Sequence, residues 1–258
     1  MDKEFNTVVL SLSGGLDSTC LLLHYLAQGK VVHGVSFIYG QKHSVELEKV
    51  KNNIKFLQGR GLPVTHQIVD LTSAFQYSQS SLHSNCNESI PHDRYDSENQ
   101  KSTVVSNRNV IFSAIIYGIA LDLSKRDNSK VIISIGAHKN DLSVYPDCRP
   151  ESVNMAKELY KISNWGSENV DYETPFLHLN KGEVLRAGVN AMNKMEFEDN
   201  EILFVLAHTH SCYDPDASGR SCGLCGTCQE RIAAFAANDM MDPVPYQIDI
   251  SKIEKQKL

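Results

Sequence analysis

The chain of 258 residues has no run of about 18 apolar residues, the length a helix needs to cross a bilayer, and its charged start, MDKEFN, leads into only a short apolar stretch. Neither a membrane span nor a secretory leader is expected, and the reading places the chain in the cytoplasm. Positive charge is also short: 25 Lys and Arg stand against 31 Asp and Glu, a formal net charge of −6. That balance argues against broad neutralisation of a phosphate backbone, so direct nucleic-acid binding is not expected. Internal repeats and the composition of a coiled coil, collagen or disordered chain are absent too. At this length a folded chain buries roughly 70–75% of the surface it exposes when unfolded, enough for a sizeable core.

What is present alternates. Short β-branched runs, VVLSL (8–12), VVHGVSFIYG (31–40), PVTHQIVDL (63–71) and KVIISIGA (130–137), are separated by helical patterns at 18–29, 44–61 and 107–125. A helix at about 150–163 and a strand, turn and helix within 168–188 follow. Such alternation predicts an α/β fold, a doubly wound, mostly parallel sheet of about five strands. Residues 76–103 are polar and aperiodic and read as a long excursion over the sheet edge, of the kind that often acts as a lid. From about 174 the alternation lapses, so we divide the chain into an α/β domain, 1–173, and a small C-terminal subdomain, 174–258.

Seven cysteines, an odd number in a reducing compartment, do not suggest a disulfide framework. Four of them, Cys212, Cys222, Cys225 and Cys228, crowd into 17 residues and suit tetrahedral Zn²⁺ with no open position, hence a structural metal and a zinc-binding subdomain. An iron–sulfur cluster is the competing occupant. Cys148 has no visible thiolate partner and reads as packing.

The first strand ends in Ser13-Gly14-Gly15-Leu16-Asp17-Ser18 and runs at once into a helix. Glycine loops at helix N-termini cradle anions. This one lacks the Gly-Lys-Ser/Thr of a Walker A loop and cannot be written G-x-G-x-x-G. It resembles the SGG-x-DS loop of the N-type ATP pyrophosphatases, the PP-loop superfamily, whose Rossmann-like fold is the adenine nucleotide alpha hydrolase type. The resemblance implies that Leu12, Ser13, Gly14, Gly15, Leu16, Asp17 and Ser18 hold the pyrophosphate of ATP, with Asp17 binding or orienting Mg²⁺.

Further stretches narrow the resemblance. Tyr39-Gly40-Gln41-Lys42-His43, Ser106-Asn107-Arg108-Asn109, Asp141 with Tyr145-Pro146-Asp147-Cys148-Arg149, Glu173-Thr174-Pro175, and Thr209-His210-Ser211-Cys212-Tyr213 with the later cysteines are similar to the 7-cyano-7-deazaguanine synthase (QueC) family. The likeness runs in order from residue 8 to about 246. It implies a homodimeric ligase that uses ATP and ammonia to turn 7-carboxy-7-deazaguanine into the nitrile, a queuosine precursor, through an activated acid and then an activated amide. Asp17, Ser13, Arg108 and Lys181 are the catalytic candidates, Arg108 and Lys181 as countercharge; Tyr39, Gln41, Arg108, Asp141, Tyr145 and Asp147 are the substrate-binding ones. Asp147, ahead of Glu151, is the candidate acceptor for the base edge. His43 and His138 lie past strand ends where protons from ammonium could be handled, although a lone loop histidine is more often a bystander. Other readings stay open: a tRNA-modifying thiolase or lysidine synthetase of the same superfamily, a deazapurine amide synthetase, or an ATP-sensing module without turnover.

Overall fold

The computed structural model describes residues 4–42 and 45–251. The β-branched runs become β1 (Phe5–Ser11), β2 (Val31–Ile38), β3 (Val64–Asp70), β4 (Lys130–Ser134) and β5 (Val170–Glu173), all parallel in the order β3-β2-β1-β4-β5. Alternate side chains of β1 enter opposite cores: Val8 and Leu10 join one apolar cluster and Val9 the other. Burial on both faces is why this strand is apolar without a break.

One face is covered by α1 (Leu16–Leu26) and α2 (Val45–Gly59), the other by α3 (Arg108–Asp127) and α4 (Pro150–Ser163). Beyond β5 the chain adds α5 (Lys181–Lys194), α6 (Asp199–Ala207) and α7 (Gly226–Ala236). Val184, Leu185, Val205, Leu206 and Phe235 from these helices are fully buried in the same cluster as Leu21 and Leu22 of α1. Each such side chain contributes roughly 1.5–3 kcal/mol on leaving water, which holds α5 against α1.

The sheet grows outward from β1 to β3, then returns to the other side of β1 with β4. Loops leaving the C-terminal ends of β1 and β4 therefore diverge to opposite faces and open a crevice between them, the place where open α/β sheets bind ligands. The long segment before α3 departs from a plain edge excursion. Its Leu82 and Ile90 pack with the four clustered cysteines, and the Lys42 N–H donates to the Leu82 carbonyl at 2.9 Å, so it bridges the β2–α2 connection to the cysteine cluster. Among the described residues no helix is long and apolar enough to cross a membrane.

Candidate functional site

Ser13-Gly14-Gly15 turns the chain from β1 into α1. Gly14 has φ +88°, and a Cβ there would lie 2.5 Å from the Glu46 carbonyl oxygen, so only glycine fits. Its own carbonyl accepts the His210 N–H at 2.8 Å. The Ser13 and Ser18 hydroxyls stand 3.0 Å apart, and the Gly15 N–H donates to Ser13 Oγ at 3.2 Å. Gly15 is the N-cap of α1 and supplies no side-chain cap, so the first-turn N–H groups and the positive helix end remain for a ligand. Across the crevice a Cβ on Gly136 would meet Ser18 N at 3.1 Å; its absence lets the chain beyond β4 lie close to that helix start.

Behind the loop lies a buried knot of charge. Lys181, at the start of α5, donates to Asp17 Oδ2 at 2.8 Å and stands 3.2 Å from Glu230 Oε2. Burial lowers its pKa, but Asp17 and Glu230 outweigh that and hold it well above that of an ordinary lysine. Burial likewise pushes Asp17 up, yet Lys181 and His138 outweigh it and keep the carboxylate charged. Asp141 accepts the Tyr95 hydroxyl on Oδ1 at 2.7 Å and the His138 N–H on Oδ2 at 3.0 Å. His138 Nδ1 accepts the Asn140 N–H, which leaves the proton on Nε2, 3.8 Å from both Asp17 Oδ1 and Asp141 Oδ1. Three carboxylates thus face one ammonium and one imidazole. Asp17 Oδ1 is buried with no hydrogen-bond partner among the described residues.

The same cavity, about 220 Å³, continues past the loop into an aromatic chamber holding Arg108, Tyr39, Tyr145 and Tyr213. The guanidinium of Arg108 lies 5.8 Å from the Tyr39 ring centre and 5.9 Å from that of Tyr145. Among the described residues no carboxylate reaches it within ion-pair distance, so it remains available to an anion. Thr103 donates to the Gln100 carbonyl, which orients a chain in which Tyr145 donates to Thr103 at 3.0 Å and Tyr213 to Tyr145 at 2.9 Å. Glu46 lines the wall, and burial pushes its carboxyl up to about 7 against the pull of Arg108.

The four sulfurs of Cys212, Cys222, Cys225 and Cys228 lie within 4.8 Å of one another, with Cys222 and Cys228 3.9 Å apart. Tetrahedral zinc at about 2.3 Å from each sulfur sets neighbours roughly 3.8 Å apart, so the set fits that ion. The N–H groups of Cys222 and Asp214 donate to Cys212 Sγ at 3.2 and 3.3 Å, as suits thiolates. Cys225 caps α7, which then carries Glu230 to Lys181.

Most candidates from the sequence converge on this cavity: Leu12, Ser13, Gly15, Asp17, Ser18, Tyr39, Gln41, Arg108, Asp141, Tyr145 and Lys181 line it. Gly14 supports the loop from behind, and the Leu16 side chain is buried in the core. Asp147 stands outside the lining; its two oxygens accept the N–H and side-chain amide of Asn109 at 3.0 and 3.2 Å, closing the start of α3. Glu151 is exposed in the first turn of α4, and His43 lies outside the described residues. Cys148 lines the cavity as a thiol, its pKa pushed up by burial and then by Asp141 and Asp147. Sequence reasoning did not find Glu46, Tyr95 or Glu230. Glu46 looks like an ordinary first-turn acid, and Glu230 like a surface acid beside a metal ligand.

Comparison with known proteins finds relatives over nearly the whole chain. The family model described as queuosine biosynthesis protein QueC matches residues 7–239. A 7-cyano-7-deazaguanine synthase of Marinomonas sp. (strain MWYL1) is 38% identical over 241 residues, 93% of this chain and 97% of that protein. Another, from Caldicellulosiruptor saccharolyticus, is 35% identical over 247 residues, 96% of this chain and 98% of its own.

Proposed function

The chain belongs to the QueC family of queuosine biosynthesis proteins, and from that premise we propose that it makes 7-cyano-7-deazaguanine from 7-carboxy-7-deazaguanine, ammonia and ATP. The observation that carries this reading is one cavity with an anion cradle at one end and, at the other, a guanidinium among tyrosines that no carboxylate of the described residues reaches. Triphosphate occupies the Ser13–Ser18 loop. The planar base lies against Tyr39 and Tyr145 with its carboxylate toward Arg108. A carboxylate oxygen attacks the α-phosphorus, pyrophosphate leaves, and ammonia then displaces AMP to give the amide. The amide oxygen is activated in the same way by a second ATP, and loss of AMP and a proton leaves the nitrile. Lys181 and the first turn of α1 stabilise the charge that grows on the leaving group.

Ammonium must lose a proton before it attacks. Glu46, titrating near neutrality on the cavity wall, is the group we assign to accept it. Asp17 Oδ1 fits Mg²⁺ as a ligand oxygen beside the phosphates, where the ion would screen their charge; the cysteine set would hold structural Zn²⁺. We place the enzyme in the cytoplasm, acting on the free base as a homodimer and not on nucleic acid, in keeping with its net charge of −6. Mass spectrometry of products from the acid, ammonia and ATP tests the reading, and 7-amido-7-deazaguanine with ATP alone should also give nitrile. A product that stops at the amide would make the chain an amide synthetase.

A further inference from the structure

Helix α4 is apolar on two sides. Val153, Ala156 and Tyr160 are buried in the apolar cluster that α4 shares with α3 and the sheet. Met155, Leu159 and Ile162, spaced four and three apart, are 71%, 54% and 82% exposed, and Trp165 just past the helix is 95% exposed. Single exposed apolar residues are ordinary; three large ones in a stripe at helical spacing, with an exposed tryptophan just beyond the helix end, form an apolar surface that monomers rarely leave to water. We propose that this stripe is where a second copy of the chain docks, α4 against α4, antiparallel about a two-fold axis beside Leu159. The inference rests on the homodimer proposed above and gives it an interface.

Charge identifies the occupant. Glu158 and Lys161 flank the stripe and pair with each other at 3.1 Å. The midpoint between them falls within one residue of the middle of the stripe. A two-fold axis through that point sets Glu158 of each copy beside Lys161 of the other, so apolar stripe and ion pairs share one centre. An unrelated partner gives no reason for that coincidence.

Area agrees. Eight large side chains from two copies, at about 150 Å² each, bury roughly 1,200 Å², the lower end for a specific pair. The neighbouring edge strand β5 is poorly disposed to pair instead. The Tyr172 N–H is taken by the Asp171 side chain at 2.9 Å, and that carboxylate is also paired with Lys157.

Sedimentation equilibrium on the zinc-loaded chain tests the interface. The unaltered protein should be a dimer at micromolar concentration. Leu159→Asp and Ile162→Asp should each raise its dissociation constant at least about 100-fold, because the two-fold axis counts every change twice, with circular dichroism and zinc content unchanged. Glu158→Lys and Lys161→Glu should each weaken it about tenfold, and the double swap should restore it. All seven native cysteines are buried, so Leu159→Cys should give a disulfide-linked dimer on mild oxidation. A dimer indifferent to both aspartates keeps the homodimer and overturns this interface; a monomer overturns both; a double swap that fails to recover overturns the antiparallel arrangement. Activity is read separately, so none of these outcomes bears on the reaction.

Discussion

Asp17 and Glu46 are two carboxyls on one cavity whose pKa values are shifted in opposite directions. Asp17 stays ionised because Lys181 and His138 overcome its burial, so Asp17→Asn changes charge and hardly changes shape. The variant should fold normally and lose turnover by about 10²-fold or more, the scale seen when one preorganised charge-stabilising group is removed. Near-normal turnover would dissociate this residue from phosphate handling. Glu46 is the reverse case. Its folded pKa, about 7, lies above the ordinary 4.5, so between those values the folded state binds more protons than the unfolded one and stability falls as pH rises. Glu46→Gln removes that penalty. Its thermal midpoint should exceed that of the unaltered protein most above pH 7, and the gain should fade below about pH 4.5, while turnover drops. A stability gain that does not vary with pH would show that Glu46 is not the titrating group.

At the level of elements, α7 joins the cysteine cluster to the charged groups behind the loop. Its cap is Cys225, Cys228 lies in its first turn, and Glu230 follows to face Lys181. Elemental analysis should find one zinc per chain, and Cys228→Ser should lower zinc content and raise the apparent KM for ATP together. Loss of metal with unchanged ATP affinity would separate the two. The elements themselves were legible in advance, because unbroken β-branched runs and amphipathic helices carry their own period; the helix expected at 150–163 is α4. The loop and the cysteines were legible as well, since their chemistry depends on spacing along the chain. Glu230 and Tyr95 were not. Glu230 reaches Lys181 and Tyr95 reaches the cavity wall from positions 213 and 78 residues beyond Asp17, and only tertiary packing brings such residues together. Asp147 shows the opposite limit: its identity suited a base edge, but the start of α3 uses both its oxygens.

At the scale of the whole molecule, the last segment is tied in by a buried ion pair. Arg231 donates to Asp242 through Nε at 2.7 Å and to Thr209 at 2.7 Å, and Tyr246 donates to the same carboxylate at 2.7 Å. Asp242→Ala would leave a buried guanidinium without its counterion and should cost about 3–5 kcal/mol in denaturant unfolding. A loss well under 1 kcal/mol would mean that water reaches the arginine. The same helix that carries Arg231 begins at the cysteine cluster, and the Gly14 carbonyl is held by His210, two residues before Cys212. On the proposed zinc assignment, a newly made chain without the ion would lack the bracing of both the glycine turn and the lysine, and it should stand idle toward nucleotide. Under zinc starvation, the number of working copies in a cell would then follow the supply of the ion, not the rate of synthesis of the protein.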